Sequence, residues 1–122
     1  MARFLSPEWF DAANGVLSRL SVRPDVALII EQRVMGGPDG DVTYCVILEA
    51  PNPRVEHDGP PGDIRLTLDY ATAAGLGSGR LTVSDAMRAG KVRVTGDLAR
   101  LRACASELAV LAEALAPLPT TY

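Results

Sequence analysis

The sequence predicts an α+β fold in which a five-stranded, mostly antiparallel sheet carries helices on one face. Four segments alternate apolar and polar side chains with the period of two that a half-buried strand requires: residues 26–34, 42–48, 64–69 and 91–95. A weaker strand is predicted at Arg54–His57 within a proline-rich segment, since proline is tolerated at sheet edges. One face of every strand is apolar and helical patterns lie at both ends of the chain, so we expect the helices to cover that face.

The helices are predicted from capping residues that precede apolar positions at helical spacing. Ser6-Pro7-Glu8 combines a cap, a proline suited to the first turn and an acid that favours the positive end of a helix. Asp69 and Thr82 are the predicted caps of two short helices, and Asp97 is the predicted cap of a long closing helix whose apolar residues recur as far as Leu115.

The first two strands are predicted to form a hairpin, because glycine, proline and aspartate are concentrated in residues 36–40 between them. The hairpin face that points away from the helices is unusually apolar at four positions: Ala27, Ile29, Cys45 and Ile47. An exposed apolar patch commonly marks an interface. The sequence therefore predicts a homodimer that forms through this patch.

Length and charge exclude several classes of protein. With 122 residues, one domain spanning residues 1–122 is expected. The net charge is −3 and the basic residues are scattered, so the basic stripe of a nucleic-acid-binding protein is missing and we expect no nucleic-acid partner. No apolar run approaches the length of a transmembrane helix, and the first residues lack the apolar core of a signal peptide. We expect a cytoplasmic protein that makes at most transient contact with a membrane.

Catalytic and metal-binding motifs are missing from the sequence. Cys45, Cys104 and His57 cannot complete a tetrahedral zinc site without a carboxylate, and the two cysteines are expected to be buried thiols. The chain contains no GxSxG turn, and the glycines of Gly75–Gly79 fail the GxGxxG pattern at Arg80. We therefore predict a non-enzymatic protein with no catalytic residue, no metal and no cofactor.

The segment that follows Asp63 resembles a known family. Its residues follow the pattern A-[F/M]-x-x-G-[K/R]-apolar-x-apolar-x-G-[D/N] with Ala86, Met87, Gly90, Lys91, Val92, Val94, Gly96 and Asp97. The earlier run LTLDYATA at residues 66–73 is similar to a segment of bacterial members. The chain thus resembles a bacterial stand-alone member of the sterol carrier protein-2 (SCP2) lipid-binding domain family. In element order the resemblance covers residues 9–115, although Met87 stands where phenylalanine is common and Thr95 where a basic residue is common.

The resemblance implies an apolar cavity between sheet and helices, and non-catalytic binding and carriage of a fatty acyl chain, a lipid or a sterol-like molecule. The candidate ligand-binding residues lie on the predicted inward strand faces and on the apolar faces of the helices: Phe10, Leu28, Ile30, Gln32, Val46, Leu48, Leu66, Leu68, Met87, Leu108, Leu111 and Leu115. Gln32 is polar among apolar neighbours, which suits either an anchor for a ligand head group or a strand-end side chain that reaches solvent.

Two other functions fit the same residues. In a dimerisation or interaction module, the aliphatic side chains would fill a collapsed cavity, and a void of roughly a few hundred Å³ would be missing. In a pathway enzyme that uses the pocket, a carboxylate or histidine with a shifted pKa would lie in the wall. The sequence offers little support for such a group.

Overall fold

A computed structural model describes residues 2–122. In chain order its elements are β1 (Ala2–Arg3), α1 (Pro7–Leu17), β2 (Ala27–Gly37), β3 (Gly40–Glu49), β4 (Arg54–His57), β5 (Ile64–Asp69), α2 (Tyr70–Gly77), α3 (Val83–Arg88), β6 (Val92–Gly96), α4 (Leu98–Ala103), α5 (Ala105–Leu115) and β7 (Thr120–Thr121). The mixed α+β class is confirmed, and so is the weak strand predicted at Arg54–His57.

The main sheet has five strands in the order β4-β3-β2-β5-β6. Three of its four pairings are antiparallel, and the pairing of the central strand β2 with β5 is parallel. The register places Gln32 beside Tyr44 on one side and Leu66 on the other. These three residues therefore share one row on one face of the sheet.

The chain crosses the outer face of the sheet, away from the helices, between β4 and β5. The thiol of Cys45 donates a hydrogen bond to the carbonyl of Pro60 at 2.9 Å, and the backbone N–H of Asp63 donates to the carbonyl of Ile29 at 2.8 Å. Cys45 is 0% exposed and Ile47 is 1% exposed. The prediction of an exposed patch is wrong at these two positions, since the crossing segment lies against this face. The outer face of the hairpin therefore gives no support for the predicted homodimer.

The four predicted helix caps are confirmed. Each cap side chain accepts a hydrogen bond from a backbone N–H three residues later, in the pairs Ser6–Trp9, Asp69–Thr72, Thr82–Asp85 and Asp97–Arg100. The prediction of one closing helix is wrong, because α4 and α5 are separated at Cys104. The backbone of Cys104 has φ −100° and ψ 11°, and no glycine or proline at this point signals the break.

The helices form a layer over the inner face of the sheet. Helix α1 lies against β4 and α5, and α2 lies against β2 and β5. The terminal strands β1 and β7 pair in parallel, and the backbone N–H of Phe4 donates to the carbonyl of Thr121 at 2.9 Å. This pairing brings the ring of Phe4 to 5.1 Å from both the Trp9 ring and the Tyr122 ring, measured between centroids. An aromatic cluster therefore lies beside the space between sheet and helices.

Candidate ligand-binding site

A cavity of about 210 Å³ lies between the inner face of the sheet and the helices. The sheet and the helices both contribute to a wall that is mainly aliphatic and aromatic: Phe4, Trp9, Ile30, Gln32, Tyr44, Val46, Val55, Leu66, Ala73, Leu76, Gly77, Leu108, Leu111, Ala112, Leu115 and Tyr122. A second depression at Ala2, Arg3, Ser6 and Glu8 lies at the surface. Arg3 and Glu8 are exposed there, so this depression offers no enclosed apolar wall.

The strand register explains which inward side chains reach the cavity. Two adjacent rows contribute to the wall, one with Ile30, Val46 and Val55, the other with Gln32, Tyr44 and Leu66. The next row toward one end pairs Leu28 with Leu48, and the next toward the other end pairs Val34 with Leu68. These four side chains are between 0% and 3% exposed and belong to the packed core. The cavity thus occupies only the middle of the inner face.

Small residues on the helices leave space for the cavity opposite the sheet. Ala73 and Gly77 of α2 and Ala112 of α5 stand where larger side chains would project into the space. A Cβ atom on Gly77 would lie 3.2 Å from the hydroxyl oxygen of Tyr122 and 3.5 Å from a ring carbon of Phe4. The missing side chain at Gly77 therefore lets Tyr122 lie directly against α2.

One polar pair lies in the sheet wall. The hydroxyl of Tyr44 donates a hydrogen bond to Oε1 of Gln32 at 2.9 Å. Burial raises the pKa of Tyr44 well above its ordinary value of 10.0, so the phenol stays neutral. Oε1 of Gln32 accepts the hydrogen bond from Tyr44. The two N–H groups on Nε2 of the same amide can therefore donate to a ligand.

The cavity opens to solvent beside α5. Tyr122 is 43% exposed and Ala112 is also exposed, yet both line the cavity. Trp9 and Leu111, on the same wall, are buried. A ligand could therefore enter between α5 and the last residues of the chain without crossing the sheet.

The structure brings seven of the twelve candidate residues to the cavity wall: Ile30, Gln32, Val46, Leu66, Leu108, Leu111 and Leu115. The other five lie elsewhere. Leu28, Leu48 and Leu68 belong to the filled rows of the core, and Phe10 packs behind the wall with its ring centroid 5.6 Å from that of Tyr44. Met87 is 44% exposed on α3, because the inward residue of that short helix is the neighbouring Ala86.

Nine wall residues were not among the candidates: Phe4, Trp9, Tyr44, Val55, Ala73, Leu76, Gly77, Ala112 and Tyr122. Tyr44 lies on the same predicted strand face as Val46 and Leu48, and Ala112 follows the helical period, so both could have been found from the pattern. Phe4 and Tyr122 reach the cavity only because β1 pairs with β7. No local pattern signals a contact between residues this far apart in sequence.

The histidine and the two cysteines lie outside the cavity wall. His57 is exposed, and its Nδ1 lies 3.0 Å from a carboxylate oxygen of Asp58. Burial, and then the nearby carboxylates of Glu31 and Glu56, raise the pKa of the Cys45 thiol. Burial also raises the pKa of Cys104, so both thiols stay protonated and are weak nucleophiles at neutral pH.

Within residues 2–122, the structure holds no cluster of three or more histidine, cysteine, aspartate or glutamate side chains suited to a metal ion. Across the same residues, no helix combines the length and the apolar character needed to cross a membrane. The wall residues themselves include no acid, histidine, lysine or arginine. The arrangement is thus suited to holding an apolar molecule with one or two hydrogen bonds.

Solved structures with a similar architecture include sterol carrier proteins. A crystal structure of sterol carrier protein 2 is 17% identical and aligns over 96% of this chain and 100% of its own, with a TM-score of 0.74. A protein from Thermus thermophilus, described as possibly a sterol carrier protein, is 16% identical over 99% of this chain and 93% of its own, with a TM-score of 0.74.

The sterol carrier protein-2 of Aedes aegypti in complex with the C16 fatty acid palmitate is 17% identical over 84% of this chain and 92% of its own, with a TM-score of 0.60. By sequence, no family model matches this chain and no curated protein does. At these identities the likeness concerns the backbone arrangement, and it confirms the predicted resemblance and fold class at that level. The chain therefore has the sterol carrier protein-2 fold.

Proposed function

We propose that this chain binds an apolar ligand in the cavity between sheet and helices and carries it without catalysing a reaction on it. The observation that supports this function best is the cavity of about 210 Å³ with its mainly apolar wall. Binding of palmitate by the Aedes aegypti protein of the same fold adds support. The free thiols of Cys45 and Cys104 suit a reducing compartment, and we propose that the protein acts in the cytoplasm.

The volume of the cavity sets the size of the buried group. A cavity of roughly 150 Å³ binds benzene, which has six carbons, so about 210 Å³ corresponds to about eight carbons at the same density. Burying eight methylene groups contributes about 6 kcal/mol at roughly 0.8 kcal/mol each, and the cost of association reduces this. The affinity for an alkyl chain of this length is therefore at best moderate, which suits a carrier that must release its cargo. A longer chain would project through the opening beside Ala112 and Tyr122.

The cavity favours this function over the two alternatives. A closed interaction module would fill the space beside the two middle rows of the inner face, whereas a cavity of about 210 Å³ lies there. An enzyme that works by acid–base chemistry would need a titratable group that changes charge near neutral pH. Tyr44 and Tyr122 are the titratable wall residues, and burial raises the pKa of each above 10.0.

The first experiment is native mass spectrometry of freshly purified protein, with solvent extraction of bound molecules. We expect an extractable apolar compound. Trp9 is the only tryptophan and lies in the wall, so its fluorescence reports directly on occupancy when 1-octanol is titrated in.

Two alanines of α5 provide matched variants for the same titration. Ala112→Phe places a ring at the cavity, whereas Ala109→Phe places the same ring on the exposed side of the helix, outside the wall. We expect Ala112→Phe to weaken binding at least about tenfold, which is 1.4 kcal/mol, and Ala109→Phe to leave it unchanged. An empty protein whose Trp9 fluorescence does not respond at millimolar 1-octanol would contradict the proposal, as would equal effects of the two variants.

A further inference from the structure

We infer that the cavity selects a neutral ligand with a carbonyl or hydroxyl oxygen over an ionised carboxylate, and that Gln32, oriented by Tyr44, donates the hydrogen bond to that oxygen. This inference rests on the proposed function, because it names the class of ligand that the same cavity takes.

The hydrogen bond between Tyr44 and Gln32 fixes what the wall offers to a ligand. A buried tyrosine O–H needs an acceptor, and Oε1 of Gln32 supplies it at 2.9 Å. The two groups are cross-strand neighbours in the middle of the wall, where Leu66 flanks Gln32 on its other side. The Nε2 group of Gln32 therefore presents N–H donors beside an apolar surface, which is the complement of a ligand oxygen that accepts.

The charge of the wall decides which acceptor is favoured. Moving an ionised carboxylate into an apolar site without a partner costs far more than moving a neutral carbonyl or hydroxyl group. None of the sixteen wall residues carries a positive charge that could offset this cost. A single amide donor satisfies a carbonyl oxygen but leaves most of a carboxylate's acceptor capacity without partners.

Two basic side chains near this region, His57 and Arg80, lie outside the cavity wall. His57 pairs with Tyr44 across the β3–β4 ladder, but its side chain is 54% exposed and lies beside the carboxylate of Asp58. Arg80 is near enough to Tyr122 to act on its pKa, and it is exposed. Both side chains are exposed to solvent, so neither offsets the cost of a carboxylate held at Gln32.

Selection of a neutral ligand makes the binding of an acid depend on pH. An alkanoic acid would enter the cavity in its protonated form, and its free carboxyl has a pKa of about 4.3 if it behaves like a glutamate side chain. Each pH unit above that value lowers the fraction of the protonated form, and hence the apparent affinity, about tenfold. A ketone of the same length has no titratable group. The wall phenols of Tyr44 and Tyr122 stay protonated below pH 10, so the protein adds no pH dependence of its own near neutrality.

The test compares 2-octanone with octanoate, two eight-carbon probes, at pH 5.5 and pH 7.5. Trp9 fluorescence measures both affinities, and the side-chain amide resonance of Gln32, assigned by its loss in Gln32→Met, reports on the hydrogen bond. We expect the affinity for 2-octanone to be equal at the two pH values and the affinity for octanoate to fall about 100-fold. We also expect the Gln32 amide resonance to move when 2-octanone binds.

A paired variant isolates the polar contact. Gln32→Met combined with Tyr44→Phe replaces both partners with apolar groups of similar size and leaves no buried hydroxyl without an acceptor. We expect this double variant to bind 2-octanone about tenfold more weakly than the native protein. The comparison of ligands in the native protein does not depend on how well the variant folds.

The outcomes separate this inference from the function on which it rests. If octanoate binds with the same affinity at both pH values, the carboxylate stays ionised at the mouth of the cavity, and the inference is overturned while apolar binding stands. If 2-octanone binds without moving the Gln32 resonance, the assigned donor is wrong. If neither probe changes Trp9 fluorescence, the proposed function itself fails.

Discussion

Two leucines of similar burial test the cavity through protein stability. Leu111 is 6% exposed and borders the cavity, whereas Leu28 is 0% exposed and lies in a filled row of the core. Truncating a packed leucine to alanine costs about 2.7–5.0 kcal/mol, and the cost rises by about 24 cal/mol per Å³ of cavity left behind. Leu28→Ala creates a new void, so we expect a loss of about 4 kcal/mol.

Leu111→Ala removes atoms that already lack neighbours on the side of the cavity. These atoms make fewer dispersion contacts in the native protein, so we expect a loss of about 2 kcal/mol, below the range for a packed leucine. Urea denaturation measures both values. With a slope of about 1–2 kcal/mol per M, a difference of about 2 kcal/mol separates the two midpoints by about 1–2 M.

Leu111→Ala should also change the preferred ligand. The substitution removes three carbons from the wall, so the buried part of the best alkyl ligand should lengthen from about eight carbons to about eleven. Leu28→Ala should leave the preferred length unchanged, because its void lies in another row. Equal losses of stability at the two sites, together with an unchanged ligand length in Leu111→Ala, would refute the reasoning and favour a closed core.

Three further predictions concern the backbone, a helix cap and alkaline pH. Gly96 has φ +109°, and a Cβ there would collide with the carbonyl oxygen of Asp63. We therefore expect Gly96→Ala to lower the free energy of unfolding by about 3 kcal/mol in urea denaturation. Gly15 lies in open space within α1, so Gly15→Ala should raise it by about 0.5–1 kcal/mol. Hydrogen bonds from Thr72 lower the pKa of Asp69 below its ordinary value of 3.8. The stability that the ionised Asp69 confers is therefore present above pH 3.8 and is lost as the pH falls below that value. Asp69→Ala should cost about 1 kcal/mol at pH 7, while Asp69→Asn should keep the cap and lack this acid dependence. Burial raises the pKa of Tyr44 above 10.0, so the stability that this neutral phenol confers is present below pH 10 and falls as the pH rises further. In thermal melts above pH 10, the native protein should lose stability more steeply than Tyr44→Phe. Parallel losses in the two proteins would contradict the raised pKa of Tyr44.

Much of the local structure could be predicted from the sequence, because its signals lie within a few residues of one another. Asp69 caps α2 as predicted, since a cap needs only the backbone N–H three residues later. The edge strand at Arg54–His57 and the hairpin of β2 with β3 likewise follow from alternation and turn residues. The break at Cys104 was not predicted, because no glycine or proline marks it.

Part of the candidate site also followed from the sequence. The period of two placed Ile30, Gln32, Val46 and Leu66 on one face, and all four lie in the cavity wall. The same period placed Leu28 on that face with equal force, although it lies in the filled core. Alternation assigns a side chain to a face but carries no information on whether the opposite layer touches it at that row.

The sequence by itself determined the α+β class, the caps and the inward faces of the strands, because these depend on side-chain period and on contacts within one turn. Only the tertiary structure decided the parallel pairing of β2 with β5, the crossing segment that buries Cys45, and the meeting of Phe4 with Tyr122. It also decided that the cavity lies at the two middle rows of the inner face and not at their neighbours. These features depend on which distant segments meet and on the volume left between them, and aliphatic side chains can either fill or line such a space.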